Sequence, residues 1–176
     1  MKVVILSDIH DHIWNLDRAL ELCRDCGVLI CCGDLCAPFI MKRLAEGFAG
    51  DIHVVFGNND ADLFRITRTA SGYGERVKLH GEWADVEIGG KRFGVNHFDY
   101  IAREIAPSGH FDVICFGHNH IREITQVGAT LLLNPGPVMG VKFDQGTPVA
   151  TEASFMIYDT ESGETDTRFI PVPSLS

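Results

Sequence analysis

The segment VVILSDIH, residues 3–10, places an apolar run directly before an acidic residue and a histidine. Four consecutive aliphatic residues of this kind are typical of a strand buried on both faces, as in a parallel sheet. The same arrangement recurs further along the chain, at VLICCGD (28–34), IHVVFGNN (52–59), RFGVNH (92–97) and VICFGHNH (113–120). We therefore expect strands whose carboxyl ends carry the functional side chains.

Amphipathic segments separate these runs and predict helices over 13–26, 38–48, 62–69 and 101–105. A glycine pair, Gly89-Gly90, predicts a hairpin between strands 84–88 and 92–96. Further strands are expected at 123–127, 129–133, 155–158 and 167–170, and residues 138–152 are expected to be irregular. The alternation of strands and helices followed by antiparallel segments predicts a mixed α/β fold.

Length and charge limit the classes of function. The 176 residues, 45% of them hydrophobic, suit a single domain over 1–176. The chain has 24 acidic and 15 basic residues, which gives a net charge of -9 and makes nucleic acid an unlikely partner. No apolar run approaches the roughly 18 residues that span a bilayer, and no cleavable leader is recognisable. We expect a cytoplasmic protein with no membrane partner; homo-oligomer formation stays possible.

Five of the six cysteines fall between Cys23 and Cys36. Cys23 and Cys26 form a C-x-x-C pair, but no second pair follows to complete a zinc ribbon. Adjacent Cys31 and Cys32 point to opposite faces of a strand and therefore do not share an ion. We interpret these cysteines as small buried hydrophobic residues, except that Cys36, two positions beyond Asp34, is either packed in the same way or lies beside the metal ligands.

The polar residues after the apolar runs form a candidate metal-ligand set. They are Asp8, His10, Asp34, Asn58, His97, His118 and His120. Carboxylate, imidazole and amide oxygen, without thiolate, suit hard or borderline divalent ions. Seven ligands exceed one tetrahedral zinc site but fit two ions that share a bridging carboxylate. The alternative is that they are separate turn and capping residues.

The order of these motifs carries a resemblance. The elements D-x-H at 8–10, GD at 33–34, GNND at 57–60, His97 and GHNH at 117–120 resemble the calcineurin-like metallophosphoesterase family. Asn134-Pro135-Gly136 is similar to its small, cap-less prokaryotic phosphodiesterase branch. The resemblance implies a four-layer α/β/β/α sandwich of two mixed β-sheets flanked by helices.

The resemblance also implies a division of the ligands. Asp8, His10 and His120 are then expected to hold one ion, and Asn58, His97 and His118 a second ion, with Asp34 bridging both. A hydroxide between the ions is expected to attack the phosphorus of a small phosphodiester. Manganese is the first expectation for both ions, while nickel, iron, cobalt, zinc and magnesium accept the same ligands.

Two positions depart from the family pattern. Asn59 stands where many members have a histidine that protonates the leaving group, and an amide is no general acid. His12 is the alternative proton donor, or an ordinary surface histidine. Phe98 replaces a frequent glycine and is expected to narrow the site or to stack on a leaving group. We include Asn59, Asp60 and His12 with Asp34, Asn58 and His97 among the candidate catalytic residues.

Other functions remain open at the level of sequence. A phosphomonoesterase or a nucleotide-directed hydrolase could use the same ligands. A retromer subunit that shares the fold serves in protein binding, but a protein-binding scaffold would be expected to lose ligands, and here every ligand position is filled. His53, His80 and His110 have no partner cluster in the sequence and are predicted to be solvated.

Overall fold

Two mixed β-sheets lie face to face in the computed structural model, which describes residues 1–171. Residues 172–176, the end of the predicted domain, lie outside the described residues. In chain order the elements are β1 (Lys2–Leu6), α1 (Ile13–Leu22), β2 (Val28–Cys31), α2 (Pro38–Gly47), β3 (Asp51–Val54), α3 (Leu63–Ser71), β4 (Val77–Leu79), β5 (Trp83–Ile88), β6 (Lys91–Asn96), α4 (Asp99–Ile105), β7 (Val113–Cys115), β8 (Glu123–Val127), β9 (Thr130–Asn134), β10 (Val141–Asp144), β11 (Thr147–Ala150), β12 (Ser154–Asp159) and β13 (Thr165–Phe169). Short 3-10 turns at Gly74–Arg76 and Ala106–Ser108 follow α3 and α4.

The six-stranded sheet has the order β13-β12-β1-β2-β3-β4, and the five-stranded sheet has the order β5-β6-β7-β9-β8. Strands β1 to β4 are parallel, as are β6, β7 and β9, whereas β12, β13, β5 and β8 are antiparallel to their neighbours. A parallel bridge between Ser7 and Pro137 lies just beyond the carboxyl end of β1. The mixed sheets predicted from the sequence are therefore confirmed.

Three apolar clusters show why the chain forms four layers. The outer face of the six-stranded sheet packs against α1, α2 and α3 through residues such as Leu16, Met41 and Ile66. The inner faces of the two sheets pack on each other, for example through Ile30 and Phe93. The third cluster joins α4 to the outer face of the five-stranded sheet. The α/β/β/α sandwich is confirmed.

Five of the six cysteines belong to these apolar clusters, and Cys36 does not. Cys31 faces the helices and Cys32 faces the second sheet, as expected for neighbours on a strand. All six cysteines are free thiols, and only Cys36 is more than marginally exposed. Burial, with the neighbouring Cys26 and Asp25, raises the pKa of Cys23 to about 12, so this thiol stays protonated near neutral pH.

Two local expectations were wrong, and one strand was not predicted. Helix α1 ends at Leu22 rather than at residue 26, because the chain turns there to place the Gly27 N–H on the Lys2 carbonyl. Strand β4 was not predicted, because its three residues are too few for a recognisable pattern; it pairs with β3 and buries Val77. Residues 138–152 are not irregular: β10 and β11 form a hairpin whose turn, Gln145-Gly146, has positive φ at both residues. The strands of this hairpin are mostly exposed, so no buried apolar run marks them in the sequence. Among the described residues, no helix is long and apolar enough to cross a membrane.

His53 and His80 are not solvated, contrary to the expectation from sequence. Their rings stack in nearly parallel planes, 10° apart, and Nδ1 of His53 lies 3.0 Å from Nε2 of His80. His53 is only 8% exposed. Burial, assisted by the positive charges of His80 and Lys78, lowers the pKa of His53 to about 4, against the opposing charge of Asp51. His110 is exposed, as predicted.

The His53 environment predicts acid sensitivity of the fold. In the unfolded chain a histidine titrates near 6.5, so the unfolded state binds this proton at higher pH than the folded state. Stability from His53 is therefore complete above pH ~6.5 and is lost as the pH falls toward 4. The free energy of unfolding, measured by urea titration, should fall between pH 7 and pH 5 in both proteins. The fall should be about 2 kcal/mol larger in the native protein than in His53→Gln. His110→Gln, at an exposed site, should follow the native protein; parallel curves for His53→Gln and the native protein would contradict the assignment.

Candidate metal centre

The seven candidate ligands meet where the parallel strands of both sheets end. Asp8 and His10 follow β1, Asp34 follows β2 and Asn58 follows β3 in the six-stranded sheet. From the five-stranded sheet, His97 follows β6, and His118 and His120 follow β7. The face-to-face packing of the sheets thus brings side chains far apart in sequence to one edge.

One group of ligands gathers around Asp8. Oδ1 of Asp8 lies 3.2 Å from Nε2 of His120 and 3.9 Å from Nε2 of His10. One ligand atom from each of these three residues lies within 4.8 Å of the others. Asp8 is fully buried and His120 is 4% exposed, so the group sits below the surface.

A second group gathers around Asn58. Its Oδ1 lies 3.0 Å from Nε2 of His97 and 3.0 Å from Nδ1 of His118. Asn58 is exposed, whereas His97 is fully buried. This group therefore reaches from the interior to the solvent.

Asp34 lies between the two groups. Its Oδ2 is 3.4 Å from Nε2 of His10, in the first group, and 3.3 Å from Nε2 of His97, in the second. Asp8, Asp34 and His97 also have ligand atoms within 4.8 Å of one another. The arrangement brings all seven predicted ligands together. The Asp34 carboxylate lies close enough to contact both groups of ligands.

The loops that carry the ligands have an unusual backbone. Five of the seven have positive φ, between 43° and 70°: Asp8, His10, Asp34, His118 and His120. Residues other than glycine rarely adopt this left-handed conformation, which costs of order 1–3 kcal/mol each and tends to occur at functional sites. Surrounding structure must therefore hold these loops in place.

Backbone hydrogen bonds between loops provide that support. The N–H groups of Ile9 and His10 both donate to the Asp34 carbonyl, and that of Asp8 donates to Gly33. On the other side, the Met139 N–H donates to the Asp8 carbonyl. The ligand loops of separate strands are thereby fixed to one another.

Asp60 and Asn59 act on Asp34. The Asp60 carboxylate accepts hydrogen bonds from the backbone N–H groups of Gly57, Asp34 and Cys36, which joins the loops after β2 and β3. Asn59 donates to Asp34 twice, from its backbone N–H to Oδ1 and from its side-chain amide to Oδ2, both at 2.8 Å. Asn59 thus orients the Asp34 carboxylate directly, whereas Asp60 fixes the Asp34 backbone.

Sequence reasoning gave no role to Asn134, which the fold places under the GHNH loop. Asn134 is fully buried; its amide donates to the Gly117 carbonyl and to the side-chain oxygen of Asn119, and its own oxygen accepts from Gly136. The signal was present, because Asn134 opens the N-P-G motif that follows β9. Its contacts show that it braces the loop carrying His118 and His120.

Cys36 and Phe98 contact the ligand groups, whereas the contacts of His12 are with the start of α1. His12 caps α1, with its Nδ1 accepting from the Asn15 N–H at 3.3 Å, and its ring meets Trp14 edge-on. The Cys36 sulfur lies 3.6 Å from Nδ1 of His10, the ring nitrogen that does not face Asp34. Phe98 packs edge-on against His97 and His118 and so forms a wall on that side.

The electrostatics of this cluster favour bound cations. Burial opposes ionisation of Asp34, but its contacts with His97 and Asn59 outweigh that and lower the pKa of Asp34 below its usual range. Burial likewise disfavours the imidazolium of His97, but the hydrogen bond and charge of Asp34, with the charge of Asp8, raise the pKa of His97. Asp34 thus remains ionised and attracts positive charge.

Two buried atoms lack a hydrogen-bond partner among the described residues of this cluster: Oδ1 of Asp8 and Nε2 of His10. Unpaired buried polar atoms are costly, and a cation between them would satisfy both. Oxygen and imidazole donors without thiolate match divalent ions of intermediate hardness. The residues present therefore fit the metal ions that such a donor set implies.

The fold is a sandwich of two mixed sheets, and a cluster of carboxylates and histidines lies at its edge. This combination is typical of metal-dependent hydrolases. The model of the calcineurin-like phosphoesterase superfamily domain matches residues 1–163. Phosphodiesterase MJ0936 of Methanocaldococcus jannaschii is 31% identical over 168 residues, which cover 93% of this chain and 96% of the relative. The chain belongs to the calcineurin-like phosphoesterase superfamily.

Solved structures agree with this assignment. A structure described as that of a novel archaeal phosphodiesterase has a TM-score of 0.84 and 29% identity, covering 96% of this chain and 99% of that one. Vacuolar Protein Sorting 29 from Cryptosporidium parvum has a TM-score of 0.66 at 19% identity, covering 96% of this chain and 95% of that one. The second likeness shows a shared fold alone.

The close approach of Gly117 to Asp8 yields a test of the site geometry. A Cβ on Gly117 would lie 2.6 Å from Oδ2 of Asp8 and would also collide with Ser7 Oγ. Gly117→Ala should therefore destabilise the fold by about 1–3 kcal/mol and displace Asp8. Thermal unfolding and the metal content after manganese loading should both fall.

Gly27→Ala is the matched control, because the nearest atom to its Cβ is Met1 Cγ at 3.8 Å. It should retain the metal content and stability of the native protein. If Gly117→Ala also retained the native stability and metal content, the close approach of the Gly117 backbone to Asp8 would be contradicted.

Proposed function

We propose that this protein is a phosphodiesterase that hydrolyses small phosphodiesters with two divalent ions. The observation that carries the proposal is the placement of Asp34 between two groups of ligands, Asp8, His10 and His120 on one side and Asn58, His97 and His118 on the other. The names of the archaeal relatives support the same activity.

When bound, two divalent ions supply a hydroxide nucleophile at neutral pH and neutralise charge on the phosphoryl oxygens. Asp34 holds the two groups of ligands at a fixed separation. Asn59 and Asp60 fix the orientation of Asp34. His97 and Asn58 orient each other through their 3.0 Å contact. Preorganised ligands of this kind need little rearrangement during the reaction. Manganese is the first candidate for both ions.

Solvent exposure sets the direction of substrate approach. Asp8, Asp34 and His97 are at most 1% exposed, so they close the inner side of the site. Asn58 is exposed and His118 is partly exposed on the outer side. The substrate therefore approaches over Asn58 and His118, beside the wall formed by Phe98.

Protonation of the leaving group is the step with the least support from side chains. Asn59 is an amide, and both of its donors are directed at Asp34. His12 stays the candidate proton donor of this chain, with Nδ1 engaged at the start of α1 and Nε2 available. Substrates with good leaving groups, which depart without a proton, are therefore the best ones.

A role purely as a protein-binding scaffold is the alternative from a different class, supported by the fold shared with Vacuolar Protein Sorting 29. The full set of seven ligands favours hydrolysis, because a scaffold has no need to hold five strained ligand residues. A phosphomonoesterase on the same ligands is the nearer alternative.

The two-ion proposal predicts two manganese ions per chain by metal analysis after saturation. Asp34→Ala should lose more activity than His10→Ala, because the shared carboxylate serves both ions whereas His10 serves one. Asp25→Ala, an exposed carboxylate paired with Lys2, is the control and should keep both ions. One ion or none in the native protein, or equal residual activities in the two site variants, would count against the bridging role.

Diesters should be preferred over monoesters. A monoester dianion carries additional charge, and no lysine or arginine among residues 1–171 makes a hydrogen bond or ion pair with the seven ligands. A charge-assisted hydrogen bond contributes about 1.5–3 kcal/mol, so its absence costs a monoester roughly tenfold or more in kcat/KM. The comparison uses matched 4-nitrophenyl mono- and diesters with a panel of divalent ions; a higher kcat/KM for the monoester would reverse the assignment.

A further inference from the structure

Three rings meet at the second ligand group, the one formed by Asn58, His97 and His118. The Phe98 ring lies 5.2 Å from the His97 ring and 5.0 Å from the His118 ring, measured between centroids. The two histidine rings lie 5.1 Å from each other. The ring planes are inclined by 63° to 76°, the edge-on arrangement that aromatic rings prefer. Phe98 therefore contacts both histidines of this group at once.

The buried histidines on either side of Asp34 are oriented by the backbone. Nδ1 of His97 lies 2.8 Å from the Cys32 carbonyl, and Nδ1 of His120 lies 2.6 Å from the Val141 carbonyl. In each ring the other nitrogen, Nε2, faces a carboxylate of the cluster. A hydrogen bond on the nitrogen away from the ion orients most metal-binding histidines.

His118 has no such anchor within residues 1–171. Its Nδ1 lies 3.0 Å from Oδ1 of Asn58, and its Nε2 makes no hydrogen bond with the described part of the chain. His118 is also partly exposed, and its backbone is left-handed, with a φ of 70°. The orientation of the His118 ring therefore depends on the rings packed against it, and Phe98 is one of them.

The backbone of Phe98 is itself firmly held. Its N–H donates to Oδ1 of Asn96 at 2.8 Å, and its carbonyl accepts from the Ala102 N–H in α4. Asn96 is buried, and its amide donates to the Glu82 carbonyl. These hydrogen bonds fix Phe98 between β6 and α4, so its ring can serve as a support for the neighbouring histidines.

We propose that Phe98 is a positioning residue, which fixes the ring of His118 and thereby sets the affinity of the second ligand group for its ion. The inference rests on the proposed two-ion function and adds to it a residue that acts through His118. Among residues 1–171, Phe98 has no ring contact with His10 or His120. Its loss should therefore weaken the binding of one ion and spare the other.

Manganese binding, measured by titration calorimetry, tests the proposal without a substrate. The native protein should bind two ions per chain. Phe98→Ala should weaken one of them by about 10- to 100-fold, the usual effect of losing a group that orients a ligand, and leave the other nearly unchanged. Phe98→Tyr keeps the ring and should restore the native affinity. Phe98→Leu keeps the apolar bulk without a ring; it should show the same loss, and it replaces Phe98→Ala if that variant does not fold.

NMR of the metal-free protein follows the His118 ring directly. At pH 8, where an ordinary histidine is uncharged, the His118 ring signals of the native protein should differ from those of the exposed His110. In Phe98→Ala they should move toward the His110 signals, because a released ring samples solvent-exposed orientations. His118→Gln identifies the His118 signals by their disappearance.

Phe64→Ala is the control for the loss of a phenyl ring, because Phe64 is 75% exposed and its ring lies beside Arg68. It should keep both manganese affinities and the native His118 signals. Four results would overturn the proposal. They are unchanged affinities in Phe98→Ala, an equal loss for both ions, unmoved His118 signals, and a loss that Phe98→Tyr does not restore.

Failure of this inference is distinguishable from failure of the proposed function. A native protein that binds two ions and that Phe98→Ala matches in both affinities keeps the two-ion function and rejects the role of Phe98. A native protein that binds one ion or none rejects both. If the native protein binds two ions but hydrolyses no diester, the proposed activity is rejected, and selective loss of one ion in Phe98→Ala still supports the role of Phe98.

Discussion

Two buried carboxylates, Asp8 and Asp34, meet histidines from both sheets, and the rest of the site is organised around this contact. A buried carboxylate is tolerated only with compensating partners. His10 comes from the same sheet as the carboxylates, whereas His97 and His120 come from the facing sheet. Asn59 and His10 reach Asp34 from its own sheet, so docking of the facing sheet completes the compensation of both carboxylates by adding His97 and His120.

The ligand loops carry backbone strain that this packing offsets. Five ligands occupy the left-handed region, and inter-loop hydrogen bonds such as those from Ile9 and His10 to the Asp34 carbonyl keep them there. Glycine at 117 is required because the backbone passes directly over Asp8. These contacts hold the candidate ligands in fixed loops, an arrangement that limits the reorganisation a bound ion would require.

Around this rigid interior the rim is built from exposed aromatic and polar side chains. Phe98 and Tyr100 stand on the side of His97 and His118, with their ring centroids 5.5 Å apart. Phe143 stands on the side of His120. The candidate ligands thus lie on loops that directly follow strands of the two sheets, whereas the rim includes loops and a hairpin whose residues lie outside the three apolar clusters.

The sequence alone determined the mixed α/β class, most strands and the positions of the seven candidate ligands, because a buried strand and the polar residues at its end occupy consecutive positions, as in Val3 to His10. The tertiary structure decided what depends on residues far apart. Three features depend on contacts that no local sequence pattern reveals. They are the β10–β11 hairpin, the stacked rings of His53 and His80, and the hydrogen bonds by which Asn134 holds the GHNH loop. The role of Asn59 likewise became visible only when its amide was found against Asp34, since a side chain's partner is fixed by the folding of distant strands rather than by its neighbours in sequence.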